Sequence, residues 1–146
     1  MKVELKKGRY FLGDVRHALS DRDYDIWIDG GRINGEVAID GIKMAVCDTA
    51  SDAVWFIDGN NNQYIIKDGN IGLLPQALWR GKHLGVPITS DALRRFGLVI
   101  DVYEKVEMDV EEGIFYIIVD GNEPIEIDTE CDPEPDDDYI VDGSNW

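Results

Sequence analysis

Histidine and cysteine are scarce: the 146 residues include two of each, His17 and His83, Cys47 and Cys131. None falls at the spacing of a zinc site or a redox pair, so the reading is two isolated thiols, no metal and no cofactor. Unpaired cysteines suit a reducing compartment, and a cytoplasmic protein is expected. The opening MKVELKKGRYFLGD carries basic residues without an apolar stretch before Gly8, so a secretory leader is not expected. Long apolar runs are missing too. The longest, Ile114–Val119, is strand-sized and far below the roughly 18 residues of a membrane helix. Basic residues are almost absent from the last third. Residues 96–146 hold 17 acidic side chains against Lys105 alone, whereas residues 1–95 hold 13 of each sign, so the net charge of −16 lies wholly in the last third. Nucleic acid and anionic lipid both repel such a segment, which argues against either as a direct partner.

What the chain does have is turn chemistry. Six Asp-Gly pairs punctuate it: Asp29-Gly30, Asp40-Gly41, Asp58-Gly59, Asp68-Gly69, Asp120-Gly121 and Asp142-Gly143. Both residues tolerate the positive φ angles of tight hairpins. Between them lie short β-branched and aromatic runs, read as strands at Arg9–Leu12, Asp25–Ile28, Gly35–Ile39, Lys43–Cys47, Val54–Ile57 and Gln63–Lys67. In Leu98–Glu111 the apolar residues Ile100, Val102, Val106, Met108 and Val110 share one parity, broken by Glu104, and polar residues hold the other, as in a half-buried strand. Ile114–Val119 and Pro124–Asp128 follow as further strands. Helix is limited to about one turn at Pro75–Trp79 and another at Ser90–Phe96, where Ser90 is placed to cap. The expected architecture is mainly β, an antiparallel sandwich or partly open barrel with one or two short helices. It forms one domain over residues 1–131, neutral to 95 and acidic from 96, followed by an acidic tail, 132–146. Asp132–Asp138 has no apolar residue, a composition biased toward disorder.

Catalytic patterns are weak. Asp58, Asn60 and Asn62 fit the early positions of a calcium loop, but Gln63 and Gly69 stand where its glycine and closing glutamate belong. The tail acids fail the same test. Gly30-Gly31 and Gly69–Gly72 lack the Lys-Ser/Thr pair of a phosphate loop. Asp14, Asp48 and Asp52 are the better placed carboxylates for acid–base work, lying near apolar strands.

One feature stands above this background. Alternate side chains of a strand share a face at intervals of about 6.6–6.8 Å. Asp101, Glu107, Asp109 and Glu111 therefore project from one side of a strand, and Glu126, Asp128 and Glu130 repeat the spacing. Asp101, Glu107, Asp109, Glu111, Glu126 and Asp128, with Glu112, Asp132, Glu134, Asp136, Asp137 and Asp138, form the candidate contact surface, with Tyr103 and Trp146 as apolar anchors at its edge. A regular negative array imitates a nucleic-acid backbone and fits a cationic groove, by a long-ranged, salt-sensitive attraction.

Three segments carry a resemblance: Gly8-Arg9-Tyr10-Phe11-Leu12-Gly13-Asp14, then Thr49-Ala50-Ser51-Asp52, then Asp68-Gly69-Asn70-Ile71-Gly72-Leu73-Leu74-Pro75. Together they resemble a loose group of small bacteriophage and prophage proteins of no established activity. Val15, Arg16 and His17 stand where that group often has Pro-Cys-Tyr. The resemblance implies a phage context and a β-rich fold. The function expected is that of a non-enzymatic, anti-defence type inhibitor, binding a basic nucleic-acid-handling protein of the host or its defence machinery in the host cytoplasm. The alternatives are a small carboxylate- or metal-dependent hydrolase acting on a nucleotide-like substrate through Asp14, Asp48 or Asp52, and a structural phage component assembling through sheet edges.

Overall fold

The computed structural model describes residues 2–31, 34–48, 54–57, 63–66, 70–81, 85–111 and 114–128. Nine strands run through them: β1 Lys2–Asp14, β2 Gly35–Ile39, β3 Ile42–Asp48, β4 Val54–Ile57, β5 Gln63–Ile66, β6 Asn70–Pro75, β7 Leu98–Glu111, β8 Ile114–Val119 and β9 Ile125–Asp128. Seven form one antiparallel sheet in the order β2-β3-β6-β1-β7-β8-β9, and β4 and β5 pair separately. The sheet does not close into a barrel; β2 and β9 remain its edges. The hairpin β4–β5 packs with β4 beside β9 and β5 beside β1. Among the described residues helix is confined to α1 Asp21–Asp29, α2 Ser90–Leu93 and two 3-10 turns, Val15–His17 and Gln76–Leu78. Among the described residues no helix is long and apolar enough to cross a membrane.

The mainly β, antiparallel fold with two short α-helices agrees with the sequence reading, but three local expectations are corrected. Asp25–Ile28 is not a strand; it lies within α1. The Ser20 side chain accepts a hydrogen bond from the Asp23 N–H at 3.2 Å, and Asp21 and Asp23 in the first turn favour the positive end of the helix dipole. Tyr24 and Trp27, three residues apart, then share a buried face. The strand expected at Arg9–Leu12 extends over Lys2–Asp14, and the helix cap expected at Ser90 is instead Thr89, whose hydroxyl accepts the Ala92 N–H at 3.2 Å. Gly72 is in the sheet because there is no room for more: a Cβ there would come within 2.7 Å of Val15 and 2.8 Å of Leu74. Gly72→Ala is therefore expected to cost about 1–3 kcal/mol by overpacking, measured as a fall in the denaturant midpoint with an unchanged slope.

The sheet separates two cores. On one face, Val3, Leu5, Tyr10, Leu12, Val106, Met108, Phe115 and Ile117 belong to the first. Phe11, Val15, Leu19, Trp27, Leu74 and Trp79 belong to the second, where α1 lies against β2 and α2 against β7. The inward parity of β1 switches between Leu5 and Tyr10. The cause is a break in register between Lys6 and Gly8, where Tyr103 and Glu104 of β7 together oppose Lys7. This bulge is why Glu104 interrupts the apolar parity of its strand: it is exposed there instead of entering the core.

Candidate acidic interface

The bulge is braced from both sides. Tyr10 donates its hydroxyl hydrogen to the Lys6 carbonyl at 2.8 Å. From the other side the Asp120 carboxylate accepts three consecutive backbone N–H groups of β7: Tyr103 at 3.0 Å, Glu104 at 2.7 Å and Lys105 at 3.1 Å. Asp120 and Gly121 also form the turn after β8, with φ angles of 53° and 73°, so one Asp-Gly pair both reverses the chain and ties β8 to β7. The same positive-φ pairing recurs at Asp40 and Gly41, between β2 and β3.

These N–H bonds, that of Tyr103 foremost, hold the Asp120 carboxyl below its ordinary value. Its folded pKa is depressed, so its contribution to stability is complete above the unfolded value of about 3.9 and is lost as pH falls through the folded one. Thermal unfolding between pH 3 and 7 checks this: Asp120→Asn should lower the melting temperature most at pH 7 and least at pH 3.

Outward side chains of β1 and β7 interleave over the same face. Asp101 lies opposite Arg9, with Arg9 Nε 2.6 Å from Asp101 Oδ1 and Nη2 3.4 Å from Oδ2. Glu107 lies opposite Glu4 and is met by Lys2 at 3.2 Å and Lys105 at 3.4 Å; Lys105 also reaches Glu4 at 3.0 Å. The Arg9 hydrogen bond holds the Asp101 carboxyl low, and Lys2 first, then Lys105, does the same for Glu107. Cations of the amino-terminal strand thus neutralise two carboxylates of the expected row. Composition alone assigned those cations to a separate, neutral part, but β1 sits beside β7 in one sheet.

Beyond them, Asp109 is opposite Tyr116 of β8, and Tyr116 is opposite Glu126 of β9, which is exposed. The backbones of Glu111 and Asp128 flank Ile114 on either side. Tyr103 is 76% exposed at the bulge. Glu112, Glu130, Asp132, Glu134, Asp136, Asp137, Asp138 and Trp146 lie outside the described residues. The carboxylates brought together are therefore Glu107 and Asp109 on one side of β8 and Glu126 on the other, with Asp101 set apart beyond the bulge.

The sequence reading missed the row between them. Ile114, Tyr116 and Ile118 alternate with the core residues Phe115 and Ile117, so they face outward, and all three are only half-buried. The signal was the lack of alternation in Ile114–Val119, which is apolar at both parities and so has an apolar outer face as well as a buried one.

The carboxylates considered for catalysis are placed differently. Asp14 is 2% exposed, and its Oδ1 accepts the Arg16 N–H at 2.9 Å, capping a 3-10 turn. Asp48 pairs through its backbone with Asn70, and Asp52 lies outside the described residues. Asn70 is fully buried, donates to the Tyr24 hydroxyl at 3.4 Å and has no partner at Oδ1. His17 stacks on Phe96 with ring centroids 4.1 Å apart, and His83 is not among the described residues. Among the described residues no group of three or more His, Cys, Asp or Glu side chains is placed to hold a metal ion. A polar cavity of about 410 Å³ opens at the start of α1, lined by Ser20, Arg22, Asp23, Asp40 and Arg80. Its Arg22 is engaged by Asp40 at 2.9 and 3.2 Å and by Asp23 at 2.9 Å.

Compared with protein-family models, curated proteins and solved structures, the chain finds no match.

Proposed function

We propose that this chain is a binding protein that presents the carboxylates of its last third to a basic site on a nucleic-acid-handling protein, inhibiting by occupancy. The setting is the cytoplasm of a phage-infected cell, and the target belongs to the host or to its defence machinery. The observation that carries the reading is the segregation of charge within β7, β8 and β9. Their core residues Met108, Phe115, Ile117 and Ile127 are buried, while Asp109 and Glu126 stand on the opposite face. These strands and the segment after them come from the stretch that holds the whole net charge of −16. Such a surface attracts cations over about 8–10 Å at physiological salt, which speeds encounter and makes affinity fall with added salt.

The test is capture from a bacterial lysate on the immobilised chain at low salt, followed by a salt gradient. The expected result is a DNA- or RNA-binding protein that elutes as salt rises and is displaced by duplex DNA. Retention of nothing, or of a protein that duplex DNA does not displace, would overturn the reading.

A further inference from the structure

The acidic surface has an apolar centre. Ile114, Tyr116 and Ile118 point away from the first core and belong to neither core cluster. On β7, Asp109 pairs with Tyr116 and Glu107 with Ile118. On β9, Glu126 pairs with Tyr116 from the other side. The pattern across three strands is carboxylate, apolar row, carboxylate. We propose that this face recognises an amphipathic helix of the partner, laid along β8 with apolar residues on the isoleucine row and Lys or Arg on both flanks. The proposal rests on the acidic-interface reading and specifies the partner's recognition element.

Dimensions favour a helix. Neighbouring strands are about 4.7–4.9 Å apart, so the two flanking rows lie roughly 10 Å from each other, close to the 10–12 Å width of a helix with its side chains. From Ile114 to Ile118 the strand rises about 13 Å. A helix presenting apolar residues at i, i+3, i+4 and i+7 covers about 10.5 Å along its axis.

Charge selects among occupants. A second copy of this face would oppose carboxylates to carboxylates, and the chain's own Asp132–Asp138 segment is acidic as well. A phosphate backbone is repelled for the same reason, and a purely cationic loop would leave the isoleucines uncovered. A basic helix with one apolar stripe satisfies both the centre and the flanks.

The experiment uses the full chain and two synthetic peptides of identical Lys and Leu composition. One has leucines at helical spacing; the other is scrambled so that no stripe forms. Affinities are read by fluorescence anisotropy at low salt. The amphipathic peptide should bind at least about tenfold more tightly. Ile114→Ser with Ile118→Ser should erase that preference while leaving weak, salt-sensitive binding of both peptides. Asp109→Lys with Glu126→Lys should abolish both. Equal affinity of the two peptides for the unaltered chain overturns the helix proposal and leaves the acidic interface standing. If neither peptide binds the unaltered chain, both fall. Because the decisive comparison uses the unaltered chain, a variant that folds poorly does not blunt it.

Discussion

Trp79→Ala is expected to remove about 3–5 kcal/mol of stability, the range for deleting a large buried aromatic side chain. Trp79 is 1% exposed and belongs to the second core with Phe11, Leu74, Leu78 and Leu93. Its Nε1–H donates to the Leu74 carbonyl at 2.9 Å, fixing the 3-10 turn after β6 back onto the strand it leaves. The substitution opens a cavity and strips a buried carbonyl of that partner at once. A domain of this size holds about 5–15 kcal/mol in all, so the substitution removes a large share of the total. Urea unfolding followed by far-ultraviolet circular dichroism measures the loss. Trp79→Phe should recover part of it, since most of the volume returns and the hydrogen bond does not. A loss below about 1 kcal/mol for the alanine variant would contradict the packing described here.

The second large effect concerns binding. A triple variant, Glu107→Lys, Asp109→Lys and Glu126→Lys, is expected to weaken capture of the basic partner by about a hundredfold or more. The change is a reversal on both flanks of β8 and not a simple loss of charge. Glu107 needs its own control, because Lys2 and Lys105 already hold it. Glu107→Gln alone should change binding little, whereas Glu126→Lys, on the exposed flank of β9, should account for a large part of the effect. Asp101→Lys should act mainly on the protein itself by turning the Arg9 pair into a repulsion, and exposed pairs of that kind contribute little to stability. Affinities by titration calorimetry at two salt concentrations would check the series. A triple variant that binds as tightly as the parent would remove the acidic face from the mechanism.

Strand content was legible wherever one face is buried and the other is wet. Leu98–Glu111 shows this best: its alternation, and even the break at Glu104, correspond to the strand and its bulge. The segment of α1 was misread because Tyr24, Ile26, Trp27 and Ile28 are β-formers by composition, and the Ser20 cap with its acidic first turn outweighs that preference. β6 was hidden because glycine normally signals a turn, whereas Gly72 serves close packing. Of the interface, the identity and spacing of the acids could be read. Their ion pairing could not, because it depends on Lys2 and Arg9, which are distant in sequence and adjacent only through the β1–β7 register.

That register has a kinetic consequence. The opening strand lies in the interior of the sheet, and its partner β7 supplies residues as remote as Asp109, opposite Lys2. At about 5–20 residues per second of synthesis, β1 waits roughly 5–20 s for the strand that completes it. Contacts of such long range slow folding. One edge of β1 can thus pair with β6 early, but the other stays open until β7 has been made, so the β7-β8-β9 half of the sheet joins late.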